Sequence, residues 1–131
     1  MYRNQQNKYL QTSIQTASPA KLLIMLYDGA IKFSKLAIVA IEDKNVEAAN
    51  TNIVKVQNII NEFMVTLDQK ADIAEDLMKL YEYMMHRTTE ANVKKDVQAM
   101  EEVIGFLQEL KETWVEASKS LNTNSTEVQY G

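Results

Sequence analysis

One residue, His86, is the best candidate for chemistry in this chain of 131 residues, which has a single histidine. A lone histidine on a helix of a bundle can accept a phosphoryl group on an imidazole nitrogen, as in a histidine phosphotransfer domain. Such a histidine needs open access, and no glycine flanks it here. Its neighbours on a helix are Tyr83, Arg87, Thr89 and Glu90. We therefore predict an ordinary surface histidine and keep the phosphotransfer domain as an alternative.

Other catalytic or metal-binding patterns are missing from the sequence. The acid pairs Glu75–Asp76 and Glu101–Glu102 are adjacent in sequence, so their side chains point in different directions on a helix and are expected to be solvated. The chain has no cysteine, no glycine-rich phosphate loop and no recognisable order of serine, histidine and aspartate. We therefore expect a protein that is not an enzyme and that uses no metal or other cofactor.

The composition predicts a single helical domain. The chain has three glycines and one proline, fewer than the tight turns of a β-rich or doubly wound domain require. A net charge of −4 argues against a nucleic-acid-binding surface. No apolar run approaches the ~18 residues of a membrane span, and the first residues do not resemble a signal peptide. We expect a cytoplasmic protein without membrane insertion.

The first two predicted helices have clear start signals. Ser18 is a favoured N-cap, and Pro19 suits the first helical position, from which the helix runs to about Ile41. Asn45 can cap the second helix, which runs to about Leu67.

The third helix is predicted to begin at Asp72, with Glu75 completing a capping box, and the fourth follows a break near residues 92–96. Four amphipathic helices joined by short turns predict an all-α fold, an antiparallel four-helix bundle. The predicted divisions are a mobile N-terminal arm over residues 1–17, the bundle over residues 18–121 and a short disordered tail over residues 122–131.

Apolar residues at three- and four-residue spacing predict one core stripe on each helix. The stripes comprise Leu22, Leu26, Gly29, Phe33, Leu36 and Ala40; Ala49, Ile53, Val56, Ile60, Phe63 and Leu67; Ile73, Leu77, Leu80, Met84 and Ala91; and Met100, Val103, Leu107, Leu110, Trp114, Ala117 and Leu121. Gly29 is expected to let a neighbouring helix approach closely.

The first three helices carry more apolar residues than one core stripe needs. The charged residues Lys21, Asp28, Lys32 and Lys35 fall on one narrow arc of the first helix. The additional residues off the core stripes are Leu23, Ile24, Tyr27, Ile31 and Ile38; Val54, Met64 and Val65, beside Asn61; and Ala74, Met78, Tyr81 and Met85.

Two interpretations of these residues stay open. They can complete an enclosed core, or they can form a second apolar surface for a partner, for which flexible methionine side chains are well suited. An open apolar groove favours aggregation, so the arm, through Tyr9, Leu10 and Ile14, is expected to cover it.

One block of the sequence resembles a known family. Residues 16–30 read Thr-Ala-Ser-Pro-Ala-Lys-Leu-Leu-Ile-Met-Leu-Tyr-Asp-Gly-Ala, which is similar to the flagellar export chaperone family FliS. Weaker matches are Tyr9, residues 52–60, residues 80–84 followed by 90–92, Glu102–Val103 and Trp114. The chain departs from the family pattern at two positions. Many members have two arginines where this chain has His86 and Arg87, and Thr88 stands where an apolar residue is usual.

This resemblance implies a helical-bundle chaperone that binds the disordered C-terminal segment of flagellin, prevents its premature polymerisation and supports its export. The partners expected from it are flagellin and the flagellar export apparatus, and we further expect weak self-association; a self-associating structural bundle is the remaining alternative. The predicted flagellin-binding residues are Ile24, Tyr27, Ile31, Ile38, Val54, Asn61, Met64, Met78, Tyr81 and Met85.

Overall fold

The computed structural model describes the backbone of residues 19–130 and the side chains of residues 19–119. This part of the chain forms four helices: α1 (Pro19–Glu42), α2 (Val46–Thr66), α3 (Ala74–Lys94) and α4 (Val97–Tyr130). Both α2 and α4 pack against α1, and the same two helices pack against α3. Because short turns join consecutive helices, neighbouring helices run antiparallel, and the predicted four-helix bundle is confirmed. The arm and the Ser18 cap lie outside the described residues.

Side chains in the turns begin two of the helices. The Oδ1 atom of Asn45 accepts a hydrogen bond from the backbone N–H of Ala48 at 3.1 Å, so the predicted cap of α2 is confirmed. Lys95 ends α3 in the left-handed conformation, with φ of 53°. The next residue, Asp96, accepts a hydrogen bond from the backbone N–H of Gln98 at 2.9 Å and thereby caps α4.

The capping box predicted at Asp72 and Glu75 is wrong. The helix begins after Ile73, and no side chain caps it. The backbone of the preceding turn supplies an acceptor instead, because the N–H of Ala74 donates to the carbonyl oxygen of Ala71 at 3.0 Å. The backbone N–H of Ala74 therefore needs no carboxylate acceptor from a capping side chain.

The core face of α1 differs from the predicted stripe, of which Ala40 alone is buried. Leu22, Leu26, Gly29 and Phe33 are half-buried, and Leu36 is 42% exposed. The buried residues of this helix are Tyr27, Ala30, Ser34, Ala37 and Ala40. Four of these side chains are small, so the neighbouring helices can approach α1 closely while the larger aliphatic side chains pack at its flanks.

We expect the substitution Gly29→Ala to stabilise the protein by up to about 1 kcal/mol, because alanine costs less than glycine in a helix. A Cβ atom added at Gly29 would lie 3.5 Å from Cδ1 of Ile59, an ordinary contact, so glycine is not required for close approach. Gly105→Ala is the matched control, since its Cβ would meet nothing within 4 Å. Urea unfolding of both variants measures the effect. A loss of stability confined to Gly29→Ala would show that α2 approaches more closely than the structure indicates.

Most of the core positions predicted for the other helices are confirmed. The buried ones are Ala49, Ile53, Val56, Ile60, Phe63, Leu77, Met84, Ala91, Met100, Val103 and Leu107. Leu67, Leu80, Leu110 and Trp114 are half-buried. Ile73 and Ala117 are exposed, so placing them in the core is wrong; both lie at an end of the packed region, where fewer helices surround a side chain. Ala74 and Tyr81 occupy core positions instead.

The backbone of α4 continues as a helix to Tyr130, through most of the stretch predicted as a tail. That stretch contains no proline and no glycine before Gly131, so nothing in it interrupts helical hydrogen bonding. Side chains beyond Lys119, including Leu121, lie outside the described part, and the boundary at residue 121 stays a prediction. Among the described residues, no helix has the length and apolar character needed to cross a membrane.

Candidate functional site

The α2 members and the two α3 methionines of the predicted binding set lie along one seam between these two helices. Gln57 on α2 fixes the position of the seam, because its Nε2 atom donates to Oγ1 of Thr88 at 3.1 Å and to Oγ1 of Thr89 at 3.0 Å. Near the C-terminal end of α3, Nδ2 of Asn92 donates to Oδ1 of Asn50 at 2.6 Å. These polar contacts were not predicted from the sequence, although Gln57 has the helical spacing from Val54 and Asn61 that places it on the same face.

We define the α2–α3 seam as the surface formed by Val54, Gln57, Asn61, Met64, Met78 and Met85. Helical spacing places the α2 members on the Gln57 side of that helix and the two α3 methionines on the Thr89 side of the other. Val54 is 39% exposed, Asn61 is exposed and the three methionines are half-buried. The seam therefore offers flexible apolar side chains at the surface, with an amide group among them.

The α1 members of the predicted set lie elsewhere. The carboxylate of Asp28 pairs with Nζ of Lys111 at 2.6 Å, which shows which flank of α1 faces α4. Ile24, Ile31 and Ile38 repeat every seven residues on that flank and are half-buried. The structure therefore separates the exposed and half-buried members of the predicted set into the seam and this isoleucine row.

The placement of Tyr27 and Tyr81 outside the core is wrong. Both side chains are buried, and their hydroxyl groups share a hydrogen bond of 2.9 Å across the bundle. The Nε1–H group of Trp114 donates to the Tyr27 hydroxyl oxygen at 3.3 Å. The ring of Phe63 lies 4.3 Å from that of Tyr27 and 5.5 Å from that of Tyr81, measured between centroids. Mutual hydrogen bonding is the physical reason why two phenols can occupy an apolar core.

The surroundings of these phenols also affect their ionisation. Burial raises the pKa of Tyr27, and the hydrogen bond with Tyr81 raises it further. Burial likewise raises the pKa of Tyr81. Both hydroxyl groups therefore stay protonated at neutral pH and keep their hydrogen-bonding roles.

An apolar cavity of about 220 Å³ opens at the end of the bundle where α1 begins. Its walls come from the start of α1, the end of α2, the following turn, the start of α3 and Trp114 of α4. The principal apolar side chains are Leu23, Phe63, Leu67, Ile73, Leu77 and Trp114. Tyr81 also reaches its wall. Because Leu23 lies about one helical turn after Pro19, the start of α1 lies beside this end cavity.

His86 lies on the surface, as predicted, with 71% of its side chain exposed. Its Nε2 atom is 3.0 Å from a carboxylate oxygen of Glu90. Arg87 pairs with Glu90 at 3.5 Å and with Glu102 of α4 at 3.4 Å. Tyr83 also donates a hydrogen bond to Glu102. The imidazole thus belongs to a surface cluster in which Arg87 and Lys94 balance the carboxylates of Glu90 and Glu102.

We expect His86→Gln to change the free energy of unfolding by less than about 0.5 kcal/mol, as for most surface substitutions. Thermal unfolding at neutral pH measures the change. Arg87→Gln is the comparison variant, and we expect it to lose more stability, since the half-buried Arg87 joins α3 to α4. A larger loss for His86→Gln than for Arg87→Gln would contradict the surface assignment.

Within residues 19–119, no group of three or more histidine, cysteine, aspartate or glutamate side chains could hold a metal ion. The arrangement instead suits binding, because the seam and the end cavity both present apolar side chains at the surface.

Comparison with known proteins identifies relatives that cover most of this chain. The family model described as flagellar protein FliS matches residues 1–121. The chain is similar to the flagellar secretion chaperone FliS of Bacillus subtilis, with 37% identity over 118 residues, 90% of this chain and 89% of the relative. The chaperone of the same name from Salmonella typhimurium is 38% identical over 112 residues, 83% of each chain. That from Campylobacter jejuni is 30% identical over 125 residues, 94% of each chain.

Proposed function

Because the chain belongs to the FliS family of flagellar proteins, we propose that it is a flagellar secretion chaperone that binds the C-terminal segment of flagellin. The observation that carries the client assignment is the α2–α3 seam, where Val54 and three methionines present apolar surface beside Asn61. Unassembled flagellin has a disordered C-terminal segment whose apolar residues are buried in the filament. The chaperone offers a replacement surface for those residues and so prevents premature polymerisation.

Binding a disordered segment requires a broad surface, because ordering it costs about 2–5 kcal/mol or more of the interaction energy. We propose that the segment gains helical structure along the seam and continues around the bundle to the isoleucine row of Ile24, Ile31 and Ile38. Tyr27 and Tyr81 are buried, so their proposed role is to support the seam from beneath and not to contact the client directly.

The proposed activity is stoichiometric binding in the bacterial cytosol, without ATP or metal. The chaperone keeps flagellin unassembled and presents it to the flagellar export apparatus, which is the second proposed partner. Release then follows from the capture of flagellin by the export apparatus and needs no chemical step on the chaperone.

Mixing the full chain with a peptide of the flagellin C-terminal segment tests the proposal. Light scattering after gel filtration is expected to show a complex of one chaperone and one peptide, and circular dichroism to show a gain of helix beyond the sum of the parts. The matched control is a peptide of the same composition in scrambled order. Absence of a complex, with the chain alone running as a dimer, would instead support the self-associating structural bundle.

When no client is bound, the arm is proposed to cover the apolar surface to which flagellin would bind. It would do so through Tyr9, Leu10 and Ile14. It precedes Pro19, which lies about one helical turn from the end cavity, and a short tether can give an effective concentration in the millimolar range. Deleting residues 1–15 is therefore expected to raise the binding of a hydrophobic dye and to leave flagellin affinity unchanged or improved.

Replacing Gln5, Gln6 and Asn7 of the arm by alanine is the control, since those side chains are polar. A truncated chain that stays monomeric but loses the flagellin peptide would contradict the covering role and show that the arm grips the client.

A further inference from the structure

A basic and apolar strip lies on the face of α1 opposite its core side. The α1 strip consists of Lys32, Lys35, Leu36 and Val39. Leu36 is 42% exposed and Val39 is 53% exposed, and both lysines are exposed. With Asp28 and Ile31, these residues line a shallow surface depression of about 370 Å³. Large aliphatic side chains on an outward helix face are the kind of feature that a partner can cover.

The strip carries positive charge in a protein whose net charge is −4. Within residues 19–119, neither Lys32 nor Lys35 takes part in an ion pair. The nearby carboxylate of Asp28 is neutralised by Lys111 at 2.6 Å. Lys55 of α2 adds a further positive charge at the edge, with Nζ 5.0 Å from the centroid of the Phe33 ring. The next acidic side chain along α1, Glu42, lies at the end of the helix.

We propose that the α1 strip docks an amphipathic helix of a partner protein, one that presents aspartate or glutamate beside an apolar stripe. Leu36 and Val39 are three residues apart and form one ridge, against which the apolar stripe of a second helix can pack. Lys32 and Lys35 lie beside that ridge and match acidic side chains on the partner. The acidic remainder of the bundle would repel the same partner, so the charge directs it to this face.

Two other occupants fit the strip less well. Recognition of an anionic membrane typically uses clusters of about four to eight basic residues, whereas the strip has two in a protein of negative net charge. A second copy docked strip to strip would bring four lysines together without a facing carboxylate, which is unfavourable.

The strip is separate from the α2–α3 seam. The core of α1 packs against α2 and α4, and α3 lies diagonally across the bundle. The strip faces away from that core, so a client seated on the seam leaves Leu36 and Val39 uncovered. The proposed client path meets the depression only at Ile31, which belongs to the isoleucine row, so competition with a flagellin peptide distinguishes the two proposals.

A designed peptide serves as the probe. It is an amphipathic helix of about 18 residues, or five turns, with leucines on one stripe and glutamates beside them. The comparison peptide has lysine at every glutamate position. Fluorescence anisotropy of labelled peptides with the full chain at low salt is expected to show at least tenfold tighter binding of the glutamate peptide. Raising the salt concentration to about 0.5 M is expected to reduce this preference.

Three variants locate the site. Lys32→Glu with Lys35→Glu is expected to weaken binding of the glutamate peptide at least tenfold. Val39→Ser, which keeps the charge, is expected to weaken binding severalfold. Lys79→Glu with Lys94→Glu makes the same charge change at exposed positions of α3 and is expected to leave binding within twofold. Circular dichroism is expected to show unchanged helicity in all three.

Several results would overturn the proposal. Equal binding of the two peptides would show that charge does not select the partner, and equal effects of the α1 and α3 charge reversals would show that net charge alone matters. Loss of probe binding when a flagellin peptide saturates the protein would make the strip part of the client path. Binding to phosphatidylglycerol vesicles without binding to the glutamate peptide would assign the strip to a membrane.

Discussion

Phe63→Ala is expected to lower the free energy of unfolding by about 3–5 kcal/mol, the range typical of a buried phenylalanine. The Phe63 side chain is 2% exposed, and its ring contacts both buried tyrosines. Its removal forfeits those contacts and enlarges the end cavity. Because small domains are stable by only about 5–15 kcal/mol, the variant is expected to unfold at much lower urea concentration. Circular dichroism during a urea titration measures the midpoint and the slope.

Tyr83→Ala is the control for loss of an aromatic ring outside the core. Tyr83 is exposed and touches Phe106 edge-on at 6.0 Å between ring centroids. We expect it to cost about 1 kcal/mol, as for an average substitution. If Phe63→Ala costs no more free energy of unfolding than Tyr83→Ala, the packing of Phe63 against Tyr27 and Tyr81 does not stabilise the bundle.

Met64→Glu combined with Met85→Glu is expected to weaken binding of the flagellin segment about a hundredfold, or ~2.7 kcal/mol. The two methionines belong to opposite sides of the seam, and each contributes half-buried apolar surface. A carboxylate at either position would have to lose hydration when an apolar client covers it. Isothermal titration of the purified variant with the flagellin peptide measures the affinity, and circular dichroism checks that the helices are retained.

Gln98→Glu combined with Gln108→Glu is the matched control for this pair. Both glutamines are exposed on α4, which takes no part in the seam, and the change adds the same two negative charges. We expect it to change peptide affinity by less than about threefold. Comparable weakening by this control would show that added negative charge alone opposes binding. Unchanged affinity in the methionine double variant would remove the seam as the client site.

The sequence predicted α2 most accurately because that helix follows a simple rule. Its large aliphatic and aromatic residues recur on one face, and Ile53, Val56, Ile60 and Phe63 are all buried there. The Asn45 cap was also predictable, since one side chain satisfies one backbone donor locally.

The core of α1 could not be read by the same rule. Its large residues occur around most of the circumference, so hydrophobicity does not distinguish the inner face. Side-chain size does distinguish the inner face, because two neighbouring helices approach α1 at the small residues Ala30, Ser34, Ala37 and Ala40. That criterion depends on the spacing between helices, which the periodicity of a single helix does not contain.

The candidate site was only partly predictable for a related reason. Spacing identified Val54, Met64 and Met85 as lying off the core, and the structure places them at the seam. Tyr27 and Tyr81 are buried because each hydroxyl finds its partner on the helix diagonally opposite. Such pairing depends on the packing of all four helices, so the pattern of α1 or α3 alone cannot reveal it.

Trp114 gives the protein a built-in optical reporter. It is the single tryptophan of the chain, it lines the wall of the end cavity, and its indole N–H donates to the Tyr27 hydroxyl. Indole emission depends on the polarity and hydrogen bonding around the ring, so displacement of water from the cavity shifts its wavelength. Intrinsic fluorescence can therefore follow the filling and emptying of this end of the bundle in the unlabelled protein, on the timescale of rapid mixing.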